Sequence, residues 1–177
     1  MGPSFPDDEI ERLAIAVLGA CRARGLMTVT SESCTGGLVS AALTAIAGSS
    51  DVVDRGFVTY TNEAKMEMLG VPAATLAAHG AVSAETARAM AEGALAYSRA
   101  ALSVSVTGIA GPGGATAGKP VGLVHFGAKR GDRLLLREER FGAIGRAEVR
   151  RASVVVALRM LLALAGEQAF PPAQAGP

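Results

Sequence analysis

The segment from Ser31 to Gly37 constrains the fold most strongly, because it places two glycines between a short strand and a helix. Residues 26–30 have the apolar and β-branched composition of a strand, whereas residues 38–47 continue with the apolar density of a buried helix. The N–H groups at such a helix start attract negative charge. The segment therefore predicts a site for a phosphate, a carboxylate or the oxyanion of an acyl transfer.

Ser33 is the candidate nucleophile of this segment, because it lies just ahead of the helix. We expect Thr35 to cap the helix and the N–H groups of Thr35, Gly36 and Gly37 to face a bound anion. The G-x-S-x-G pattern of hydrolases is absent, and the alternative is that Ser33 and Thr35 only cap the helix. Cys34 is a second candidate nucleophile, since a helix N-terminus lowers the pKa of a thiol. Its alternative role is that of a small residue packed under the turn.

Helices alternate with strands along most of the chain, and a hairpin comes late. This order predicts the α/β class, as a three-layer α/β sandwich with a mixed β-sheet. Residues 1–177 form one predicted domain, with a core over about 8–165 and a flexible tail over 166–177. The predicted elements are a helix over 7–24, a strand over 52–60 with a bulge at Gly56, a helix over 63–69 capped by Asn62, a weak helical turn over 73–79, a helix over 84–101, a strand over 102–107, a glycine-rich loop over 108–118, strands over 121–128 and 134–141, and a helix over 145–165.

Charge and composition exclude several classes of partner. Seventeen Lys and Arg against sixteen Asp and Glu, together with few aromatic residues, argue against nucleic-acid binding. The apolar run over 152–165 is interrupted by Arg159 and is shorter than the roughly 20 residues that span a bilayer, so no membrane partner is expected. The N-terminus lacks the features of a signal peptide, and two cysteines do not make a disulfide framework, so a cytoplasmic location is expected. Monomer and homo-oligomer both remain open.

Tyr60 and Lys65 form a second candidate cluster. Tyr60 ends a predicted strand, and Lys65 lies in the first turns of the next helix. Ligands gather at the carboxyl ends of strands in open α/β sheets, so both side chains are expected near Ser33. The neutral amine of a lysine in an apolar setting can take the proton of a serine hydroxyl. The pattern indicates a Ser-Lys hydrolase, against the alternative of a solvated lysine and a sheet-edge tyrosine.

Arg146 and Arg150 lie four residues apart on one face of the last predicted helix. Arg146 is in its first turn, where the helix dipole disfavours a cation, and a bound phosphate or carboxylate would offset that cost. The alternative is an exposed face of mixed charge. The glycine-rich loop matches neither the P-loop nor the dinucleotide fingerprint, and no cluster of metal ligands is present, so we expect no ATP, NAD or metal cofactor.

Four ordered motifs together resemble the CinA C-terminal domain family, also known as the nicotinamide-nucleotide amidase family. The resemblance covers the chain from about Asp8 to Ala165. The motifs are Ser31-Glu32-Ser33-Cys34-Thr35-Gly36-Gly37-Leu38, Tyr60-Thr61-Asn62-Glu63-Ala64-Lys65, Gly80-Ala81-Val82-Ser83, and Thr107 to Gly114 with Lys119-Pro120-Val121-Gly122.

The resemblance implies an α/β amidase that hydrolyses the carboxamide of nicotinamide mononucleotide to nicotinate mononucleotide and ammonia. It implies a small-molecule pyridine mononucleotide as substrate and no cofactor. By the same resemblance, Ser33 is the nucleophile, Lys65 and Tyr60 are its activating partners, and Thr107 and Gly108 line the substrate site.

The nucleotide phosphate would then bind Arg146 or Arg150. The family usually has Gly-Asp-Arg where this chain has Ile144-Gly145-Arg146, so an acidic residue is missing before the helix. A non-catalytic nucleotide-binding module of the same fold is the first rival interpretation, and a protein-interaction domain is the second.

Overall fold

A computed structural model describes residues 5–166, which form five strands and six α-helices. The predicted tail lies outside the described residues from position 167 onward. The elements are α1 (Asp8–Arg22), β1 (Thr28–Glu32), α2 (Leu38–Thr44), a short 3-10 helix (Ser49–Asp51), β2 (Val53–Val58), α3 (Asn62–Leu69), α4 (Ala73–His79), α5 (Ala84–Ala96), β3 (Leu102–Gly108), β4 (Leu123–Arg130), β5 (Arg133–Arg140) and α6 (Arg146–Gly166).

The five strands form one mixed sheet in the order β2-β1-β3-β4-β5. Strands β2, β1 and β3 are parallel, and β4 and β5 continue the sheet antiparallel as the predicted hairpin. The carboxyl ends of the three parallel strands therefore meet at one edge of the sheet. The loops that follow these strands hold the residues singled out above.

Helices cover both faces of the sheet, which confirms the predicted three-layer α/β sandwich. Helices α1, α2 and α6 pack on one face around the larger apolar core, and α3, α4 and α5 lie on the other face over a smaller core. Helix α1 buries one apolar stripe, whereas α6 is buried on most of its sides from Ser153 onward. Burial of apolar surface supplies most of the stabilisation of such layers.

Helix α5 lies close to the sheet, because serine hydroxyls on the strands donate hydrogen bonds to its backbone carbonyls. Ser105 donates to Ala87 at 2.6 Å, and Ser103 donates to Ala91 at 2.9 Å. A Cβ at Gly127 on β4 would come within 2.8 Å of the Ala87 carbonyl oxygen. Small residues on both surfaces thus permit this approach.

The predicted position of the bulge in β2 differs from the structure. The bulge in β2 falls at Asp54 and not at Gly56, because Thr28 pairs with Val53 and the next residue pairs with Arg55. A Cβ at Gly56 would lie 2.8 Å from the hydroxyl oxygen of Ser40, so this glycine serves the packing of α2.

Helix boundaries also differ from prediction. Thr61, and not Asn62, caps α3, since its hydroxyl accepts a hydrogen bond from the Ala64 N–H at 3.1 Å. Helix α5 ends at Ala96 and not near residue 101, and the chain then turns into β3. Among residues 5–166, the helices lack the combination of length and hydropathy that a membrane-spanning segment has.

Replacement of Gly93 by Ala should destabilise the protein, because the added Cβ would lie 1.9 Å from the backbone oxygen of Leu69. Helices α3 and α5 would have to separate, at a cost of about 1–3 kcal/mol in the free energy of unfolding. Gly19→Ala is the matched control, since Gly19 is an exposed helical glycine and an added Cβ there would have no other group within 4 Å. That change should stabilise by about 0.5–1 kcal/mol. Urea unfolding measures both, and an unchanged stability of Gly93→Ala would contradict the packing described.

Candidate active site

The site lies where the three parallel strands end. Ser33 follows β1, Thr59 follows β2, and Thr107 lies near the end of β3. Backbone hydrogen bonds extend the ladder beyond the strands: the Ser33 N–H donates to the Val106 carbonyl at 2.9 Å, and the Thr59 N–H donates to the Glu32 carbonyl at 2.8 Å. The backbone that carries Ser33 is therefore fixed on both sides by neighbouring strands.

The Lys65 amine lies between two oxygens of these strand ends. Its Nζ is 3.0 Å from the Ser33 Oγ and 2.7 Å from the Thr59 carbonyl oxygen. Lys65 is 1% exposed, and Ser33 is 9% exposed. The sequence-predicted pair is thus in direct contact, and both side chains are buried.

Burial lowers the pKa of Lys65 from 10.5 to about 8, because the charged amine loses its hydration. The nearby Cys34 thiol opposes this change, and no carboxylate within residues 5–166 contributes to it. At pH 7 roughly a tenth of the protein would carry the neutral amine. A neutral Lys65 can donate to the Thr59 carbonyl and accept the Ser33 hydroxyl proton, which is the geometry of a general base.

The turn after Ser33 differs from the predicted anion site. The N-cap of α2 is Gly37, with φ 100°, and not Thr35, whose hydroxyl is buried without a hydrogen-bond partner in the described chain. Helix α2 spans only seven residues. The Gly36 N–H donates to the Ser33 carbonyl at 3.0 Å, which closes the turn on itself.

Glu32, which the sequence reasoning missed, occupies the start of α2. Its carboxylate is 1% exposed and accepts hydrogen bonds from the N–H groups of Gly37, Val39 and Ser40 at 2.9–3.1 Å. An internal anion thus takes the place predicted for a bound one. The expectation that Gly36 and Gly37 N–H groups bind an oxyanion is wrong, because both donors are already engaged.

Cys34 is the buried packing residue that the alternative interpretation describes. Its side chain is 6% exposed, and burial raises the pKa of the thiol from 9.0 to about 12. The thiolate form is therefore disfavoured at neutral pH, and Ser33 is the better nucleophile. The Cys34 N–H donates to no other residue within 5–166.

A cavity of about 250 Å³ opens over Ser33 and Lys65. Its walls come from the strand ends, the 80–82 loop and the glycine-rich loop. The lining residues are Ser33, Cys34, Tyr60, Lys65, Ala81, Val82, Thr107, Gly108, Ile109, Ala110, Gly111, Gly113, Gly114 and Arg146. Four predicted site residues, Thr35, Gly36, Gly37 and Arg150, are outside this lining.

Tyr60 lies at the rim of the cavity and is 59% exposed. Its hydroxyl accepts a hydrogen bond from Arg146 at 2.9 Å. Arg146 also donates to the Gly111 carbonyl at 3.0 Å, so its guanidinium bridges Tyr60 and the glycine-rich loop. In this structure the Tyr60 hydroxyl therefore pairs with Arg146, whereas the Ser33 hydroxyl pairs with Lys65.

The two predicted arginines contact different parts of the site. Arg150 does not line the cavity; its Nε donates to the Cys34 carbonyl at 3.2 Å and its Nη2 donates to the Thr35 carbonyl at 3.0 Å. Gly145 stands at the position of the acidic residue that is missing before Arg146. Gly145 adopts φ 99°, a backbone conformation that favours glycine over aspartate.

Thr107 and Gly108, which the family resemblance assigns to the substrate site, lie on the wall of the cavity. The Thr107 hydroxyl donates to the Ala81 carbonyl at 2.7 Å and so fixes the 80–82 loop against β3. Lys119 donates to the His79 carbonyl at 2.6 Å, which ties the end of the glycine-rich loop to the same region. Among residues 5–166, no three His, Cys, Asp or Glu side chains are grouped as a metal site.

Thr59 was also missed by the sequence reasoning, because it acts through its backbone carbonyl. No side-chain type signals such a role. The spacing of six residues between Thr59 and Lys65 leads the chain from the end of β2 into the second turn of α3. This arrangement points the amine back toward the strand end.

Comparisons with known proteins agree on one family. A family model described as the CinA C-terminal domain matches residues 10–165. The crystal structure of a competence/damage inducible protein, CihA, from Agrobacterium tumefaciens superposes with a TM-score of 0.89 at 57% identity, covering 91% of this chain and 98% of that one.

Curated relatives differ in length. The nicotinamide-nucleotide amidohydrolase PncC of Escherichia coli is 48% identical over 157 residues, covering 88% of this chain and 94% of that protein. A CinA-like protein of Anaeromyxobacter dehalogenans is 56% identical over 119 residues, covering 67% of this chain. The chain spans only 28% of the length of that protein and 35% of another curated relative.

Replacement of Lys65 by Met should change how stability depends on pH. The folded protein holds the Lys65 proton with a pKa of about 8, against 10.5 in the unfolded chain, so burying the charged amine costs stability below pH 8. That cost disappears as the pH rises from 8 to 10.5, because the unfolded state then binds more protons than the folded state.

Between pH 8 and pH 10.5, the unfolding free energy of the wild type should therefore rise relative to that of Lys65→Met. The expected shift is on the order of 3 kcal/mol. Urea unfolding of both proteins at pH 7 and pH 10 measures it. A difference that is the same at both pH values would show that the buried amine keeps an ordinary pKa.

Proposed function

Because the chain belongs to the CinA C-terminal domain family, we propose that it is a serine-type amidohydrolase that deamidates nicotinamide mononucleotide without a metal. The observation that carries this proposal is the 3.0 Å contact between the Ser33 hydroxyl and a buried Lys65 amine. The name of the E. coli relative, whose length the chain covers almost fully, supports the choice of substrate. The products would be nicotinate mononucleotide and ammonia.

The first step is attack of Ser33 on the carboxamide. Neutral Lys65 takes the hydroxyl proton while the Ser33 Oγ forms a bond to the carboxamide carbon. The Thr59 carbonyl holds the amine in place through its own hydrogen bond at 2.7 Å, so the lone pair faces Ser33. The carbonyl oxygen becomes an oxyanion, and we assign its stabilisation to the Cys34 N–H, because Cys34 lines the cavity and its N–H donates to no other residue within 5–166.

The second step releases ammonia. Protonated Lys65 returns its proton to the amide nitrogen, the C–N bond breaks, and an acyl ester remains on Ser33. Water then attacks the ester with Lys65 as base. The Ser33 hydroxyl is restored with the proton that the amine returns to the leaving oxygen.

The cavity is suited to the pyridine carboxamide part of the substrate. Its lining includes the apolar side chains of Ala81, Val82 and Ile109, and it also includes the positively charged, exposed side chain of Arg146. Both nitrogens that Arg146 uses now contact neutral oxygens, and a phosphate would make stronger, charge-assisted bonds to them. We therefore assign the phosphate to Arg146, and not to Arg150.

Wild-type protein should release ammonia from nicotinamide mononucleotide, with and without a chelator. Ser33→Ala and Lys65→Ala should each lower kcat by at least about 1000-fold, since nucleophile and base act as a unit. Cys34→Ala is the matched control beside the nucleophile and should keep turnover.

A folded wild type that binds the mononucleotide without releasing ammonia would instead favour the non-catalytic nucleotide-binding module. Full activity of Ser33→Ala would exclude the proposed mechanism.

The rate should rise with pH as Lys65 loses its proton. In the free enzyme kcat/KM reports the pKa of the essential base, so it should increase about tenfold per pH unit below 7, reach half of its maximum near pH 8 and level off toward pH 9. Initial rates at low substrate concentration between pH 5.5 and 9 measure this profile. A flat profile across this range would argue that Lys65 is not the base.

A further inference from the structure

We propose that Arg150 is a positioning residue that holds the Ser33 turn in its reactive geometry. This inference rests on the proposed function, because it concerns the nucleophile of that reaction. It assigns to Arg150 a role different from binding the substrate phosphate.

The guanidinium of Arg150 contacts two consecutive carbonyls of the turn. Nε donates to Cys34 at 3.2 Å, and Nη2 donates to Thr35 at 3.0 Å. The planar guanidinium presents its donors in a fixed fork, so it sets the orientation of two peptide units at once. These peptide units directly follow Ser33 and carry the backbone toward α2.

Glu32 holds the same segment from the other side. Its carboxylate accepts from Gly37, Val39 and Ser40, while Arg150 donates to the carbonyls just before them. Two side chains of opposite charge thus fix the N–H groups and the carbonyls of one short segment. The hydroxyl of Thr35 makes no hydrogen bond within the described chain, so it does not add to this support.

Loss of Arg150 should loosen the Ser33 turn. The carbonyls of Cys34 and Thr35 accept no other hydrogen bond within the described chain except that of the Leu38 N–H to Thr35 at 3.3 Å. Small displacements of a reacting group, on the order of 1 Å, can cost about 100-fold in rate. The effect should therefore fall on the reactivity of Ser33, and not on the affinity for substrate.

Arg146 provides a matched control within the same helix. It lies one turn before Arg150, lines the cavity and donates its hydrogen bonds to Gly111 and Tyr60 instead of the Ser33 turn. Replacement of each arginine by Met removes the same charge from α6. Arg150→Met removes the guanidinium that contacts the Ser33 turn, whereas Arg146→Met removes the guanidinium that contacts Gly111 and Tyr60.

The test uses an uncharged alkyl fluorophosphonate, which reports serine reactivity without a substrate phosphate. Ser33 Oγ forms a bond to phosphorus, the P–F bond breaks, fluoride leaves, and the hydroxyl proton passes to Lys65. We expect Arg150→Met to slow labelling at least about tenfold and Arg150→Lys to recover part of the rate. Arg159→Met, which removes a guanidinium of the same helix that contacts Glu9 and not the cavity, should be labelled within about twofold of the wild-type rate, and Ser33→Ala should not be labelled.

Steady-state deamidation provides the second readout. Arg150→Met should lower kcat and leave KM within about twofold, whereas Arg146→Met should raise KM. Circular dichroism and Tm establish that each variant is folded, and Arg150→Gln replaces Arg150→Met if the latter does not fold.

Labelling of a folded Arg150→Met or Arg150→Gln at the wild-type rate would overturn the positioning role and leave the proposed function intact. An increase in KM alone would overturn it as well, because that result would place Arg150 on the substrate. A wild-type protein that is neither labelled nor able to release ammonia would overturn the proposed function together with this inference.

Discussion

The rest of this site depends on a buried lysine amine that has no carboxylate partner among the described residues 5–166. Lys65 lies between the Ser33 hydroxyl and the Thr59 carbonyl, and both of these oxygens are neutral. A carboxylate in their place would favour the charged amine and raise its pKa, which would remove the base. Burial of the amine without a carboxylate beside it lowers the stability of the folded protein, but it allows Lys65 to be neutral near physiological pH.

The fold supplies this arrangement through the parallel part of the sheet. Strands β1 and β2 end side by side, so Ser33 and Thr59 are neighbours although 26 positions separate them in the sequence. Helix α3 then starts at once and turns Lys65 back over both strand ends. The antiparallel hairpin extends the sheet away from this edge, while Glu32 and Arg150 keep the turn after β1 from rearranging.

Sequence reasoning predicted the sandwich and the Ser33–Lys65 pair, because alternating elements place the ends of parallel strands at one edge. It missed the role of Glu32, since only the folded turn shows that this carboxylate reaches three N–H groups at the start of α2. It also could not predict which of Arg146 and Arg150 lines the cavity. A spacing of four places both on one helix face, but which one reaches the cavity depends on a turn more than 100 residues away in the sequence.

The protonation state of Lys65 is the central claim, and it can be measured directly. The chain contains three lysines, Lys65, Lys119 and Lys129, so protein labelled with ε-13C-lysine gives three side-chain NMR signals. Lys65→Met identifies the signal of Lys65 by its absence. The structure predicts that this signal titrates with a midpoint of about 8. A midpoint near the ordinary value of 10.5 would contradict the account, because the amine would then stay charged and could not accept the proton of Ser33.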